Sequence, residues 1–488
     1  MSFNSYIFIF LFLPLSLAGY FGMNKLKLYS PAKIFLILMS FWFYGYFNPS
    51  YLIIMLASIG LNYCLSYVML KSTKEMVRKI ALVTGLVFNI GILFHFKYYD
   101  FFVSNINSAI GTSFAMKNLV LPLGISFFTF QQLSYVIDSY KKEVPVYDIF
   151  DYSLFVTFFP QLVAGPIVLH NEVVPQFADK TKKKMNADNF AKGIMAFSFG
   201  LAKKVLIADT LGRIVNFGFA DIASLDATNA FIVMLSYTLQ LYFDFSGYCD
   251  MATGIGYMFN IELPMNFNSP YRATTILEFW DRWHLTLTRF FTKYVYIPLG
   301  GSRRGKIRTY INVFIVFLVS GIWHGANWTF IVWGILHGLF SVFTRIFKKV
   351  FDKIPKIINW IITFTFVNLT WVIFRAESLT QAGHFFSRLF SGIRGPVTDG
   401  LLQSIALPEI TALNHFIFID KGITNQFVLY FVTGLIIFAF IASIFFRNTN
   451  EKLKNFRPTL LYCLITAFLL AYSVISLSGI STFLYFNF

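Results

Sequence analysis

The sequence is poor in charged residues and in cysteine. Charged residues make up 13% of its 488 positions, against roughly 25% in an ordinary globular chain, and there are 3 cysteines. So few charges cannot cover the surface of a soluble protein of this length, and three separate cysteines cannot form a disulfide scaffold. Hydrophobic residues, in contrast, reach 57% and aromatic residues 20%. The composition therefore excludes a soluble enzyme and a disordered chain, and it predicts an all-α, polytopic helical membrane protein.

Acidic residues are also scarce, with 23 Asp and Glu against 40 Lys and Arg, which gives a net charge of +17. The cations lie mostly in short loops between apolar runs, the pattern of loops that face the cytoplasm and anionic lipid headgroups. No basic stretch is long enough to follow a phosphate backbone without an apolar interruption. We therefore expect the lipid bilayer, and no nucleic acid, among the partners of this chain.

Apolar runs close to the ~18–20 residues that span a bilayer recur along the sequence. These runs lie at residues 5–22, 34–48, 51–70, 80–98, 119–139, 194–211, 228–245, 309–323, 328–346, 357–375, 426–446 and 459–480. With the cation-rich loops placed inside, they predict about 11–12 transmembrane helices and both ends of the sequence outside. Two further apolar segments, 149–168 and 246–262, carry proline and glycine interruptions. We predict that these two are re-entrant or interfacial segments around a central cavity.

The segment 263–308 is too polar for a span and has a different pattern. Thr275 and Glu278 have the spacing of a helix capping box, and large aromatic residues then recur at helical spacing as far as Tyr294. The pattern predicts an amphipathic helix with an aromatic face at the cytoplasmic interface. His284 falls on the side of this helix that is predicted to be buried.

Some histidines lie in or beside apolar runs. His324 is near the end of one, where an ionisable group is unfavourable and by default suggests function. Burial keeps an imidazole neutral, so it can accept a proton as a general base. For His324 and His284 the alternative is helix packing through a hydrogen bond to a backbone carbonyl, and their spacing is compatible with both. Packing, structural or solvated roles are predicted for His337, His95, His170, His384 and His415.

Two carboxylates, Asp244 and Asp250, stand beside the apolar run 228–245. One interpretation is that a carboxylate holds a catalytic histidine in its tautomer, as acids do in catalytic triads. The other, which we favour, is an ion pair with Lys or Arg at a cavity wall. Arg303 and Arg304 lie in a cationic, glycine-rich loop, which fits attraction of a phosphate-bearing ligand or a positive-inside anchor.

Several stretches combine aromatic, glycine and histidine residues in a distinctive way. They are LPLGISFFTFQQLSYVIDSY (121–140), FPQLVAGPIV (159–168), YFDFSGYCDMATGIGYMFNIELPMNFNSPY (242–271), FWDRWHLTLTRFFTKYVYIPLGGSRRG (279–305) and SGIWHGANWTFIVWGILHG (320–338). Together they resemble the membrane-bound O-acyltransferase (MBOAT) family, and its bacterial alginate O-acetyltransferase branch in particular. The resemblance covers most of residues 1–345, whereas residues after about 350 share only the general character of the family.

The resemblance implies a helical catalytic core, residues 1–345, in which cytoplasmic and external cavities meet near one histidine. Residues 346–488 would then be C-terminal transmembrane helices with an external loop, 376–425. His324 matches the catalytic histidine of the family and His284 matches its second motif position. We expect these two catalytic residues to be accompanied by substrate-binding residues at Trp323, Asn327, Arg303, Arg304 and Asp244.

Members of the family transfer an acyl group from a carrier thioester to a hydroxyl, and the alginate branch passes acetyl groups outward to periplasmic or extracellular O-acetylation proteins. The resemblance thus implies no bound cofactor or metal, acetyl-CoA or another acyl thioester as the cytoplasmic donor, an external O-acetylation partner, and a bacterial cytoplasmic membrane. His324 would deprotonate the hydroxyl, and His284 would hydrogen-bond the carbonyl oxygen or orient the acceptor. Two alternatives stay open: D-alanyl transfer towards teichoic acid, and a non-catalytic acyl conduit or transporter.

Overall fold

Helices are the regular elements of the computed structural model, which describes residues 1–405, 421–477 and 483–484. We number the long helices of these ranges α1 to α12. They are Phe8–Lys25 (α1), Tyr29–Gly45 (α2), Ser50–Lys71 (α3), Glu75–Ile110 (α4), Ile125–Tyr140 (α5), 187–220 (α6), Ala227–Met258 (α7), Lys306–His324 (α8), Trp328–Ile346 (α9), Lys356–Arg375 (α10), Lys421–Phe445 (α11) and Leu460–Ile475 (α12).

In the described part of the chain, seven of these helices are long and apolar enough to cross a membrane: α1, α3, α4, α8, α9, α10 and residues Asn425–Phe445 of α11. The other five coincide with the remaining predicted runs. Of these, α2, α5 and α12 have 17, 16 and 16 residues, whereas α6 and α7 are long but contain buried charged side chains. The all-α, multi-pass membrane fold is therefore confirmed, and the full number of crossings stays a prediction.

Short helices connect the long ones. They are Ile149–Thr157, Phe159–Leu162, His170–Ala178, Ile276–Trp280, Leu285–Phe291, Lys348–Phe351, Leu379–Leu389, Asp399–Gln403 and Thr449–Lys454. As predicted, residues 149–168 do not form a spanning helix, and residues 158–168 are all buried inside the protein. Such cover is required because irregular backbone at membrane depth is tolerated only where protein or a wet cavity surrounds it.

The prediction for residues 246–262 was wrong, because α7 continues without a break to Met258. Its glycines do not interrupt the helix but let it approach α6 closely. A Cβ atom on Gly200 of α6 would lie 2.5 Å from the carbonyl oxygen of Gly247, and one on Gly193 would lie 2.6 Å from that of Gly254. Small residues at a crossing are a common way to pack membrane helices.

The amphipathic segment also differs from the prediction, since it is not one helix. Thr275 does cap its first turn by accepting a hydrogen bond from the Glu278 amide. The chain then turns at His284, whose φ of +47° is left-handed, and a second short helix follows. The predicted aromatic face is buried as expected, through Trp280, Trp283, Leu287, Phe290 and Phe291. The turn matters because it places His284 at a bend rather than along a helix.

Of the predicted external loop, 376–425, the structure describes residues 376–405 and the start of α11 at 421–425. The first part contains the helices Leu379–Leu389 and Asp399–Gln403, which pack onto the core through Phe385 and Leu401. His415 lies outside the described residues. The division of the chain at residue 345 stays a prediction.

Candidate active site

His324 is the last residue of α8 and is enclosed by aromatic rings. The residue is 4% exposed. Ring centroids lie 4.9 Å away for Trp323 and 5.2 Å away for both Trp333 and Phe374. Such an apolar enclosure disfavours an added positive charge, so the resting imidazole is held neutral. A neutral imidazole in this position can accept a proton.

His284 is held by a small polar cluster. Its Nδ1 lies 3.0 Å from the side-chain oxygen of Asn266, which also accepts hydrogen bonds from the hydroxyl and the amide of Thr286. An amide oxygen can only accept, so Nδ1 of His284 carries the proton and Nε2 carries the lone pair. Burial lowers the pKa of His284 to about 3. The ring is therefore neutral and oriented with an accepting nitrogen.

Trp323 lies next to both histidines. Its ring centroid is 4.9 Å from that of His324 and 6.4 Å from that of His284. Its indole Nε1 is buried and has no hydrogen-bond partner among the described residues. The structure thus brings together three of the predicted site residues, with two neutral imidazoles and one indole N–H donor in one buried cluster.

Two residues that the sequence analysis missed hold the end of α8. The Lys97 ammonium donates hydrogen bonds to the carbonyl oxygens of Trp323 (2.7 Å) and His324 (3.0 Å). The hydroxyl of Tyr98 donates to the carbonyl of Ile322 at 2.9 Å. Both residues belong to a π-helical turn, Phe94–Tyr98, within α4. A lysine inside an apolar run was a signal that could have pointed to this role.

Asp244 and Asp250 form ion pairs with lysines of α6. Asp244 accepts from Lys204 at 2.7 Å, and Asp250 accepts from Lys203 at 2.6 Å. Both lysines lie in a second π-helical turn, Lys203–Ala208. The favoured interpretation of ion pairs at a cavity wall is confirmed. The alternative fails, because Asp244 and Asp250 accept hydrogen bonds from the two lysines, Thr449 and the Leu484 amide, and from no histidine among the described residues.

A cavity of about 1670 Å³ lies between the core and the two C-terminal helices, α11 and α12. Its lining runs from Arg447 and Lys452, after α11, past Lys203 and Lys204 to Arg375, at the end of α10. Aromatic and aliphatic side chains of α11 and α12 form the facing wall. The cavity therefore combines a polar wall with an apolar one.

An aromatic side chain separates this cavity from the buried histidine cluster. Phe374 lines the cavity and also contacts His324, with ring centroids 5.2 Å apart. Asn327 lines it as well. The Asn327 side chain caps α9 by accepting from the Thr329 amide and donates to the carbonyl of Glu377 at 2.7 Å. The contacts of Asn327 therefore fix two chain segments at the rim of the site.

Arg303 and Arg304 do not join the histidines. They are exposed in the loop before α8, whereas His324 ends that helix. The 19 residues of Lys306–His324 span roughly 27 Å at ~1.5 Å per residue. The prediction that these arginines attract a phosphate-bearing substrate at the loop stays a prediction, because the loop lies far from the histidine cluster. Among the described residues, no group of three or more His, Cys, Asp and Glu side chains could hold a metal ion.

The other histidines have local partners or face solvent. His337 is hydrogen-bonded to Trp280 (3.3 Å) and Thr370 (3.0 Å), so the predicted packing role is confirmed. His170 is buried beside Tyr147 and Asp138. His95 and His384 are exposed.

Comparison with known proteins gives one family and a consistent set of relatives. A family model described as MBOAT, membrane-bound O-acyltransferase family, matches residues 76–379. A peptidoglycan O-acetyltransferase of Helicobacter pylori is 45% identical over 412 residues, which cover 78% of this chain and 78% of that protein. A probable alginate O-acetylase of Pseudomonas aeruginosa is 39% identical, covering 80% of this chain and 75% of its own length. A teichoic acid D-alanyltransferase of Bacillus subtilis is 28% identical and covers 53% of this chain and 70% of its own length.

Proposed function

The chain belongs to the membrane-bound O-acyltransferase family, and we propose that it transfers acetyl groups from a thioester donor to hydroxyl groups of an exported polysaccharide. Acyl transfer follows from the family. The acetyl group and the polysaccharide acceptor rest on the names of relatives that are 45% and 39% identical over most of this chain.

The observation that carries the mechanism is the buried pair of neutral imidazoles around Trp323. In our proposal His324 takes the proton of the attacking hydroxyl while its oxygen bonds to the thioester carbonyl. The lone pair on Nε2 of His284 accepts a hydrogen bond from a neighbouring hydroxyl of the acceptor sugar and so orients it. The indole N–H of Trp323 donates to the carbonyl oxygen as it gains negative charge. The C–S bond then breaks, and the thiolate takes the proton back from His324.

The position of the donor and acceptor follows from the positive-inside pattern of the loops. We propose that the donor is acetyl-CoA or another acetyl thioester on the cytoplasmic side of a bacterial inner membrane, and that an external O-acetylation protein or glycan accepts the group. The cavity past Lys203 and Lys204 supports this arrangement, since it extends from the loop after α11 to the end of α10. Phe374 would move aside when substrate binds, because it stands between that cavity and His324.

A direct test uses membranes that contain the wild-type protein or His324→Ala, incubated with labelled acetyl-CoA and either peptidoglycan or an alginate-like glycan. We expect label on a hydroxyl acceptor with the wild type and a loss of about 10²–10⁴-fold with His324→Ala. His384→Ala is the matched control, because His384 is exposed. Transfer by His324→Ala at the wild-type rate, at equal protein level, would contradict the assigned general base.

D-alanyl transfer is the second candidate, supported by the 28% identical Bacillus subtilis relative. The same membranes incubated with a D-alanyl thioester and teichoic acid separate the two activities. We expect no alanylation, because the acetyltransferase relatives match 78–80% of this chain against 53% for the alanyltransferase. A third outcome, movement of acetyl groups across the membrane with His324→Ala fully active, would identify a conduit.

A further inference from the structure

A half-buried cation contacts the end of the helix that carries His324. The Lys97 ammonium has three N–H donors, and all three have an acceptor within reach. These are the carbonyl oxygens of Trp323 (2.7 Å) and His324 (3.0 Å) and the hydroxyl of Ser126 on α5 (3.3 Å). One side chain of α4 thereby joins the end of α8 to the start of α5.

The end of α8 needs such a partner because it has no cap of its own. The last four carbonyls of any α-helix lack an intrahelical donor. Many helices meet this need with a left-handed residue just beyond the end, but Gly325 is extended, with φ of −168° and ψ of 156°. Lys97 and Tyr98 supply the missing donors instead, at three consecutive carbonyls from Ile322 to His324.

The location of Lys97 indicates that its contact with the end of α8 is not incidental. It stands within an apolar helix of a membrane protein, where an ammonium group is unfavourable and by default suggests a function. A π-helical turn, a feature that is frequent at functional sites, aims it at α8. Methionine would fill the same volume at no such cost.

We propose that Lys97 is a positioning residue for acyl transfer: its ammonium fixes the backbone of Trp323 and His324 and thereby the placement of the imidazole and the indole N–H. The proposal rests on the proposed function for the reaction that it serves. Its physical basis is that a displacement of about 1 Å at a reacting group costs on the order of 10² in rate. The positive charge of the ammonium also stabilises the partial negative charge at the C-terminal end of α8.

The experiment compares Lys97→Met, Lys97→Arg, Tyr98→Phe and Lys117→Met in purified protein. Lys117 is the matched control, because it is an exposed lysine near α4 whose ammonium contacts His95. We expect Lys97→Met to lower kcat by about 10²-fold with little change in the KM for the thioester, because binding groups stay in place. Lys97→Arg, which keeps the charge and the donors, should recover part of that loss. Tyr98→Phe should lose less than about tenfold, and Lys117→Met should be unchanged.

Hydrogen exchange of backbone amides in residues 322–327 gives a readout that does not need catalysis. Lys97→Met should raise exchange there selectively, with wild-type exchange in α9 and α10. If wild type and Lys97→Met have equal kcat and equal exchange, the proposal is overturned while the proposed function stands. If the wild type transfers no acetyl group, the proposed function fails, and exchange alone decides whether Lys97 fixes this backbone. A loss of kcat that Lys97→Arg does not relieve, with unchanged exchange, also overturns the proposal.

Discussion

At the scale of single residues, the two motif histidines, His324 and His284, have different surroundings. His324 is surrounded by the rings of Trp323, Trp333 and Phe374, so its environment disfavours charge on all those sides. His284 has a fixed proton on Nδ1, because Asn266 offers an oxygen there. These surroundings suit a proton acceptor and a group that orients a hydroxyl, respectively.

The pH dependence of the reaction tests whether His284 orients a hydroxyl as a permanently neutral ring. The pKa of His284 is lowered to about 3 by burial, so its imidazole stays neutral throughout the range from about pH 5.5 to 8.5 that is used in assays. We expect His284→Asn to lower kcat/KM on the order of 10²-fold without moving the pH profile. Asparagine is the appropriate replacement because it tolerates the left-handed backbone found at this position. A profile whose acidic limb shifts in His284→Asn would contradict this assignment.

The sequence pointed to His284 and His324 through their motifs and to Trp323 as a substrate-binding residue, and the structure places the three together. It could not predict Asn266 or Lys97 as their partners, because nothing in local periodicity shows which distant segments meet. Asn266 reaches His284 only because the chain bends at a left-handed residue, and Lys97 reaches the end of α8 from a π-helical turn of α4. Both geometries depend on tertiary contacts rather than on spacing.

At the scale of elements, glycines bring α6 and α7 into backbone contact where the two helices cross. Gly193 and Gly200 face Gly254 and Gly247, and the lysines that pair with Asp244 and Asp250 lie in the turn of α6 that follows Gly200. The glycines of α7 suggested a broken, re-entrant segment from sequence because glycine is unfavourable within helices. Packing against α6 outweighs that propensity, which sequence alone does not reveal.

A substitution at this crossing should reduce stability. A Cβ atom on Gly200 would lie 2.5 Å from the Gly247 carbonyl oxygen, so two backbones must move apart. We expect Gly200→Ala to lower the free energy of unfolding by about 1–3 kcal/mol, read as a lower thermal midpoint in detergent. Gly60→Ala is the control, since a Cβ atom added to Gly60 of α3 would have nothing within 4 Å. Equal midpoints for Gly200→Ala and Gly60→Ala would show that the crossing is not tight.

At the scale of the whole molecule, the fold class followed from composition, whereas the number of crossings did not. Among the described residues, seven helices are long and apolar enough to cross a membrane. The helices α6 and α7 are not among these seven, and lysines of α6 form ion pairs with aspartates of α7. An ion pair between two helices makes both acceptable in a bilayer, yet each appears too polar when its sequence is judged alone.

The predicted arrangement of twelve crossings has a direct test. Ser302 and Ser391 are both exposed, and the positive-inside pattern places Ser302 inside and Ser391 outside. In a background with Cys64 and Cys463 replaced by serine, we expect an impermeant maleimide on intact spheroplasts to label Ser391→Cys and to spare Ser302→Cys. Permeabilised spheroplasts should label both. Labelling of Ser302→Cys before permeabilisation would show that α8, α9 and α10 have the opposite orientation in the membrane.

His324 lies at the opposite end of α8 from Lys306. Since α8 is roughly 27 Å long, a lean of ~2° about its Lys306 end carries the imidazole about 1 Å sideways. Helices in a bilayer lean to match their apolar length to the hydrocarbon thickness around them. We therefore expect the rate of acyl transfer in reconstituted vesicles to change with the acyl chain length of the lipid, because the proposed general base lies at the end of this helix.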